Sequence, residues 1–250
     1  MKTAVVTGGS AGIGAATVRR LSRDGFRVVT GARRLDALKA VAQGLENAHA
    51  VELDVTVPES IERFVAQTVE LAGDDGVHVL VNNAGAALGL ESVAEAREDL
   101  WERMYELNVM GVLRMTKALL PSLVASGDGH LVNVGSIAGF ETYPGGGGYT
   151  ASKHALRAMT RTLRIELLGQ PVRVTEVAPG LVETEFSLVR FENDADKAAG
   201  VYKGMQPLTG EDIADCIAWA ASRPAHVNID EILVRPRAQA TATAVHRENS

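Results

Sequence analysis

The chain of 250 residues is poor in several residue types that characterise whole classes of protein. Its one cysteine, Cys216, excludes a disulfide framework within the chain and fits a reducing compartment. Phe, Trp and Tyr make up only 4% of the residues, and the 6 histidines are scattered. Because no histidines pair at metal-ligand spacing, we expect no metal site.

Excess positive charge and long apolar runs are also missing. The net charge of −6 argues against general electrostatic binding to nucleic acid. No apolar run approaches the roughly 20 residues of a membrane span. The segment 1–7 leads directly into an apolar strand and is too short for a signal peptide. We therefore expect a cytoplasmic protein that binds neither nucleic acid nor membrane.

What the chain does contain is an alternation of apolar, β-rich runs with helical patterns. This alternation predicts a single-domain α/β Rossmann fold, a doubly wound and mainly parallel sheet of seven strands flanked by helices. The predicted strands are 3–7, 27–31, 48–53, 77–81, 131–134, 172–177 and 232–234, and the main helices are 14–23, 35–45, 58–71, 98–122, 149–168 and 211–222. The domain covers 1–236, and the polar tail 237–250 is expected to be loose or to contact another subunit.

A glycine-rich segment separates the first predicted strand from the first helix. Glycines let the backbone approach a pyrophosphate, and the helix N-terminus supplies free N–H groups and the positive end of a dipole. The segment predicts a dinucleotide site, although a turn that merely closes a βα unit has the same composition. Its candidate residues are Gly8, Ser10, Gly12, Ile13 and Gly14.

Two arginines, Arg33 and Arg34, follow the second predicted strand. In a dinucleotide site this strand end faces the adenosine ribose, where Arg accommodates a 2′-phosphate. The pair predicts NADP(H) rather than NAD, unless both side chains are simply solvated. Asp54 and Val55 follow the third strand and are candidates for the adenine edge, with a turn at Asp54 as the alternative.

A third group of residues has the composition of an acid/base site. Tyr149 and Lys153 are four residues apart and share one helix face, and Ser136 lies 13 residues upstream. An ammonium group beside a phenol favours the phenolate, so we expect a lowered pKa for Tyr149. Such a Tyr can give a proton to a carbonyl or take one from an alcohol.

These motifs, together with Asn82–Gly85, Asn108 and Pro179-Gly180, make residues 2–236 resemble the short-chain dehydrogenase/reductases. Three further stretches, 88–91, 180–191 and 224–229, are similar to the NADP-dependent 3-hydroxy acid dehydrogenase branch. That branch acts on serine, L-allo-threonine and malonic semialdehyde. The resemblance thus implies an NADP-dependent oxidoreductase, built as a homotetramer or a dimer.

The resemblance also implies roles for individual residues. Tyr149 is the general acid/base. Lys153 lowers the pKa of Tyr149 and holds the hydroxyls of the nicotinamide ribose. Ser136 binds the reacting oxygen of the substrate, and Asn108 bends its helix and anchors a water in a proton relay. The cofactor-binding residues implied by the family are Asn83, Ala84, Gly85, Pro179, Gly180, Val182 and Thr184.

The substrate is predicted less closely than the cofactor. Residues 183–210 have the composition of a lid, in which Phe186, Arg190 and Tyr202 are candidate contacts. Arg190 could bind a carboxylate in a bidentate way, or lie at the surface. Tyr143 and Glu141 are further candidates.

One departure from the branch lies directly before Tyr149. Where that branch has an Asn-Val pair, this chain has Gly147-Gly148 at the end of a run of four glycines. We expect the run to be flexible and to remove side chains from the active-site wall.

The sequence also admits other functions. The glycines before Tyr149 admit a reductase of a larger ketone or aldehyde. A non-catalytic dinucleotide sensor would not need the Ser, Tyr and Lys set. A nucleotide-sugar epimerase would need a larger C-terminal domain than the roughly 25 residues after the last helix.

Overall fold

The structure is a computed structural model that describes residues 1–248. Over these residues seven strands form one sheet in the order β3-β2-β1-β4-β5-β6-β7, and every neighbouring pair is parallel. The strands are β1 (Thr3–Thr7), β2 (Arg27–Ala32), β3 (Ala48–Glu52), β4 (Val77–Asn82), β5 (Gly129–Val134), β6 (Val172–Pro179) and β7 (Glu231–Val234). The predicted doubly wound Rossmann sheet is confirmed.

Helices cover both faces of this sheet. They are α1 (Gly12–Arg23), α2 (Leu35–Ala42), α3 (Pro58–Ala72), α4 (Glu98–Tyr105), α5 (Gly111–Ala125), α6 (Gly147–Glu166), α7 (Phe186–Arg190), α8 (Ala195–Gly200) and α9 (Gly210–Ala221). Local sequence explains several of their ends. Pro58 begins α3, where its missing N–H would have no partner, and Thr209 forms a capping box with Asp212 at α9.

Alternate strand residues supply two separate apolar cores. Val6 and Val177 face α1 and α9, where they contact Leu21 and Ile217 among others. The opposite face carries Val5, Val29 and Leu131, which join Phe64 of α3 and Leu119 of α5. Each fully buried side chain of this size contributes about 1.5–3 kcal/mol. The two cores fix the strand ends, and therefore the site, in one orientation.

The predicted long helix is observed as α4 and α5 joined by one π-helical turn, Glu106–Met110. The combined segment Glu98–Ala125 is long and apolar enough to span a membrane by length and composition, contrary to the expectation that no apolar run approaches that length. Its apolar residues Met115, Leu119 and Leu123 are fully buried against the sheet. The apolarity of this segment is therefore that of a core helix.

The C-terminal tail differs from its prediction, because it packs on its own chain. Gln239 is buried, and its Oε1 accepts a hydrogen bond of 2.9 Å from Leu181 N. Ala242 N donates to Glu141 at 2.6 Å, and Glu248 N donates to Gly204 O at 2.7 Å. Backbone hydrogen bonds of this kind do not depend on apolar periodicity, so the polar composition of the tail did not reveal them. Residues 249–250 lie outside the described part of the chain.

Candidate active site

The carboxyl ends of the strands open into one cleft of about 610 Å³. Ligands bind at this edge in open α/β sheets. The lining comes from the glycine-rich loop after β1, from the strand ends of β2 to β6, from α6 and from the segment around α7. The topology thus brings together segments that are more than 200 residues apart in sequence, including Gly8 and Gln239.

The glycine-rich loop forms the first wall of the cleft. Gly8 has φ of 70°, and a Cβ on it would lie 2.9 Å from the Cα of Ala84. Gly14 packs so closely that a Cβ would overlap Gly8 O. Helix α1 begins beside this loop with no side-chain cap from residues 1–248 and no acidic residue in its first turn. Its first N–H groups therefore present a positive dipole end to the cleft.

The two arginines after β2 lie at the rim of the same wall. Both line the cleft and both are exposed, which the alternative of solvated side chains also expects. Arg34 Nη2 donates to Glu185 at 2.8 Å and to Ser10 Oγ at 3.4 Å, so this guanidinium bridges the loop and the lid. Asp54 also lines the cleft, but its Oδ1 accepts from the N–H and the hydroxyl of Thr56. The turn that is the alternative role of Asp54 is therefore observed, and Asp54 also lines the cleft.

Ser136 and Tyr149 meet in the middle of the cleft. The Ser136 Oγ accepts from Ala138 N at 3.1 Å, which fixes the start of a short 3-10 turn. Tyr149 lines the cleft beside it, and the Ser136 hydroxyl is close enough to lower the pKa of the phenol. Phe186 of α7 contacts the Tyr149 ring edge-on, with 5.6 Å between ring centroids. Ser136, Tyr149 and Phe186 therefore lie together in the cleft.

The pKa of Tyr149 shifts in the direction opposite to the prediction. Burial raises it, while the neighbouring Ser136 hydroxyl and Arg190 oppose the rise. Lys153 is also buried; its Nζ donates to Val134 O at 2.9 Å and lies 5.8 Å from the centroid of the Tyr149 ring. Burial lowers the pKa of Lys153 to about 8. A phenol with a raised pKa holds its proton, which suits a group that protonates a carbonyl.

Asn108 lies at the π-helical turn and is buried, which rules out the alternative of an exposed helical Asn. Its Nδ2 donates to Ala86 O and to Ser152 Oγ, and its Oδ1 accepts from Ala86 N. A π-helical turn thus interrupts the helix at Asn108, and the side chain connects the loop after β4 to helix α6. Asn83 makes a similar connection, because its Nδ2 donates to the carbonyls of Thr7 and Gly8.

The glycine run before Tyr149 does not leave an open wall, contrary to the prediction. Gly147 and Gly148 form the first turn of α6. A Cβ on Gly148 would lie 2.5 Å from Met104 Cε and 2.9 Å from the Trp101 ring, and a Cβ on Gly146 would overlap Tyr143. Large side chains from α4 and from the preceding loop occupy the space that the glycines provide.

Arg190 reaches the reacting end of the cleft from helix α7. Its Nη1 donates to the Tyr143 hydroxyl at 3.0 Å, and its Nε donates to Gly89 O at 3.3 Å. The remaining nitrogen, Nη2, is buried and has no hydrogen-bond partner within residues 1–248. Because the guanidinium carbon lies 5.9 Å from the Tyr149 ring centroid, this cation is beside the acid/base residue.

Most of the predicted site residues line the cleft. The exceptions are Gly14 and Asn108, which lie behind it, and Glu141, which instead binds Arg235 and the tail. Tyr202 lines the cleft, but its hydroxyl is held by Val182 O and Ser187. Three lining residues lie outside every motif and were not predicted: Leu107, Gln239 and Ala242. Five others lie in the stretches 88–91, 180–191 or 183–210 but were not named as contacts: Leu90, Leu181, Val189, Phe191 and Val201. Within residues 1–248 no group of three His, Cys, Asp or Glu side chains could hold a metal ion.

Comparison with known proteins gives consistent results. Residues 2–195 match the family model of the short chain dehydrogenases. An oxidoreductase of Mycobacterium tuberculosis is 52% identical over 97% of this chain and 94% of its own length. The NADP-dependent 3-hydroxy acid dehydrogenase of Salmonella typhimurium is 42% identical, over 97% of this chain and 98% of its own.

Solved structures show the same similarity in three dimensions. The closed form of serine dehydrogenase complexed with NADP+ has a TM-score of 0.92 at 39% identity, covering 98% of this chain and 100% of that chain. Actinorhodin polyketide ketoreductase with NADPH has a TM-score of 0.84 at 31% identity, covering 93% and 95% of the two chains.

Proposed function

Because the chain belongs to the short-chain dehydrogenase family, we propose that it is an NADP-dependent oxidoreductase of 3-hydroxy acids. The reaction class is hydride transfer between a nicotinamide and a carbon that bears an alcohol or a carbonyl. The buried, unpartnered Nη2 of Arg190 supports the assignment of the substrate, since it offers a cationic donor beside Tyr149.

The cleft fits NADP(H) at its phosphate end. The uncapped start of α1 and the close approach of Gly8 to Ala84 make a backbone cradle that a side chain would fill. Arg33 and Arg34 would hold the 2′-phosphate, and Lys153 the nicotinamide ribose. When bound, the cofactor supplies the hydride.

The residues of the chain supply alignment and proton transfer. Ser136 and Tyr149 line the cleft together, so the two hydroxyls would hold one substrate oxygen between them. Tyr149 would give its proton to that oxygen in reduction and take it back in oxidation. Asn108 holds the loop after β4 against α6, which supports its proposed place in a relay to solvent through a bound water.

Arg190 would bind the carboxylate of the substrate. Tyr143 and Gly89 hold two of its nitrogens, which leaves Nη2 as the donor toward the cleft. A buried guanidinium nitrogen without a partner is costly, and a carboxylate would satisfy it with a charge-assisted hydrogen bond. This arrangement explains how Arg190 could select a 3-hydroxy acid over a neutral alcohol.

A substrate panel tests this assignment. The absorbance of NADPH is followed with L-serine, L-allo-threonine, 3-hydroxybutyrate, malonic semialdehyde and neutral alcohols and ketones. We expect turnover of the acids, and Arg190→Gln should lower their kcat/KM by about 10- to 100-fold, the effect of one charged hydrogen bond. Arg161→Gln, on an exposed side chain of α6, is the matched control. If only neutral substrates are turned over, the assignment of a 3-hydroxy acid substrate is wrong, whereas the assignment as an oxidoreductase still holds.

The alternative substrate is a larger ketone or aldehyde. Apolar side chains of the lid, Val189, Phe191 and Val201, line the cleft and could contact such a molecule. The similarity to the polyketide ketoreductase supports this candidate as well. A ketone with a bulky apolar substituent and no carboxylate, included in the panel, separates the two substrates.

We also propose that the protein is a cytoplasmic homotetramer or dimer. Large apolar side chains are exposed at the C-terminal end of α6, on α9 and on β7, namely Ile165, Leu168, Trp219 and Leu233. Burying them between copies of the chain would remove apolar surface from water. Light scattering coupled to size-exclusion chromatography tests the proposal, which a monomeric mass would refute.

A further inference from the structure

Glu176 on β6 is a buried carboxylate that the proposed mechanism does not use. Its exposed fraction is 0%, and neither oxygen has a hydrogen-bond partner among residues 1–248. An unpaired carboxylate in the interior is costly, so its presence there requires an explanation. Burial, together with the neighbouring Glu231, raises the pKa of Glu176 to about 7.

The carboxylate lies directly behind the active site. Along β6, Val174 and Glu176 share the face of the sheet that is opposite to Thr175, since strand residues alternate. A Cβ on Gly135 would overlap Glu176 Oε1, so the carboxylate lies against the backbone of Gly135. Gly135 separates Ser136 from Val134, whose carbonyl accepts the hydrogen bond of Lys153.

Helix α6 presents a row of cations to this carboxylate. Lys153, Arg157 and Arg164 recur on one face of the helix, and each of them lowers the pKa of Glu176. Glu231 on β7 is the other charged neighbour, and it binds Arg157 at 3.3 Å. Arg164 donates to Val174 O and Asp230 O. Of the three cations in this row, Lys153 is the one that lines the active-site cleft.

We propose that Glu176 is a positioning residue that keeps the Lys153 ammonium charged from behind the active site. Burial removes water from Lys153 and favours its neutral amine, whereas an anion nearby favours the ammonium. The structure has both effects, because burial lowers the pKa of Lys153 and Glu176 raises it. A charged Lys153 donates to Val134 O and keeps a cation 5.8 Å from the centroid of the Tyr149 ring.

The inference rests on the proposed role of Lys153, but its test needs neither substrate nor turnover. The Cε signals of isotopically labelled lysines are followed by NMR from pH 5 to 11, and Lys153 is identified by its loss in Lys153→Arg. Wild type is compared with Glu176→Gln, which keeps the size of the side chain and removes its charge. Thr175→Val is the matched control, because Thr175 is buried on the other face of β6 and bonds to His130 at 2.7 Å.

We expect Glu176→Gln to lower the titration midpoint of Lys153 by about one pH unit or more, the effect of losing a nearby opposite charge. Thr175→Val should leave the midpoint unchanged. The inference is overturned if the midpoint in Glu176→Gln equals or exceeds that of the wild type. If circular dichroism shows that Glu176→Gln is not folded, the experiment is done with Glu176→Asp instead. That variant withdraws the carboxylate by one methylene, so the midpoint should fall partway, and an unchanged midpoint overturns the inference.

Discussion

The ion pair between Arg34 and Glu185 leads to a prediction about cofactor selection. Arg34 bridges to Glu185 at 2.8 Å, and the two side chains are 58% and 53% exposed. A 2′-phosphate bound at Arg34 would compete with Glu185 for the same guanidinium. The structure therefore predicts that the two substitutions Arg34→Ala and Glu185→Gln change the affinity for NADPH in opposite directions.

The magnitudes follow from the exposure of the pair. A charged hydrogen bond contributes about 1.5–3 kcal/mol, and water screening at this rim reduces it to about 1–2 kcal/mol. Arg34→Ala should therefore weaken NADPH binding by about 5- to 30-fold. An exposed ion pair contributes about 0.2–1 kcal/mol, so Glu185→Gln should tighten NADPH binding by at most about fivefold.

Fluorescence titration of NADPH and NADH against each variant measures these changes. NADH has no 2′-phosphate, so its dissociation constant should change by less than about twofold in either variant. The effect on NADPH should also shrink as salt is added, because the charges lie at an exposed rim. If Arg34→Ala weakens the binding of NADPH and of NADH equally, Arg34 does not bind the 2′-phosphate.

Two further predictions concern stability. Gly148→Val places a branched side chain against Trp101 and Met104, which should cost about 1–3 kcal/mol and lower the melting temperature by about 2–12 °C; an unchanged melting temperature in calorimetry would contradict the close packing. Burial lowers the pKa of His130 to about 3, and its ring bonds to Thr175. The His130 ring is therefore protonated at a higher pH in the unfolded chain than in the folded one. The free energy of unfolding should fall as the pH drops from about 6.5 towards 3. His130→Gln should reduce the difference in urea midpoint between pH 7 and pH 4.5. If the difference is the same in the variant and the wild type, His130 is not the source of the pH dependence.

The sequence predicts the sheet well because its signals are local and repeated. Each strand is a short apolar run such as Thr3–Thr7, and each crossover has a helical period between two such runs. The right-handedness of the crossovers then limits the strand orders that are possible. The glycine-rich loop, Ser136, Tyr149 and Lys153 could be placed at one edge for the same reason, since parallel strands all end there.

The features that the sequence did not reveal depend on contacts between distant segments. Trp101 fills the space beside Gly148, and no pattern in either segment indicates the other. Gln239 reaches the cleft through a hydrogen bond to Leu181, which polar composition cannot predict. The pKa of Tyr149 is set by how deeply α6 is buried, whereas its spacing from Lys153 shows only that the two share a helix face.

The turnover of Tyr149→Phe tests the central claim, that Tyr149 moves the proton in an NADP-dependent reaction, most directly. The substitution removes one hydroxyl and keeps the ring against Phe186. With the best substrate of the panel, we expect kcat to fall by about 10²- to 10⁴-fold, the contribution of a general acid, while the NADPH dissociation constant stays within about twofold. A kcat near that of the wild type would contradict the account.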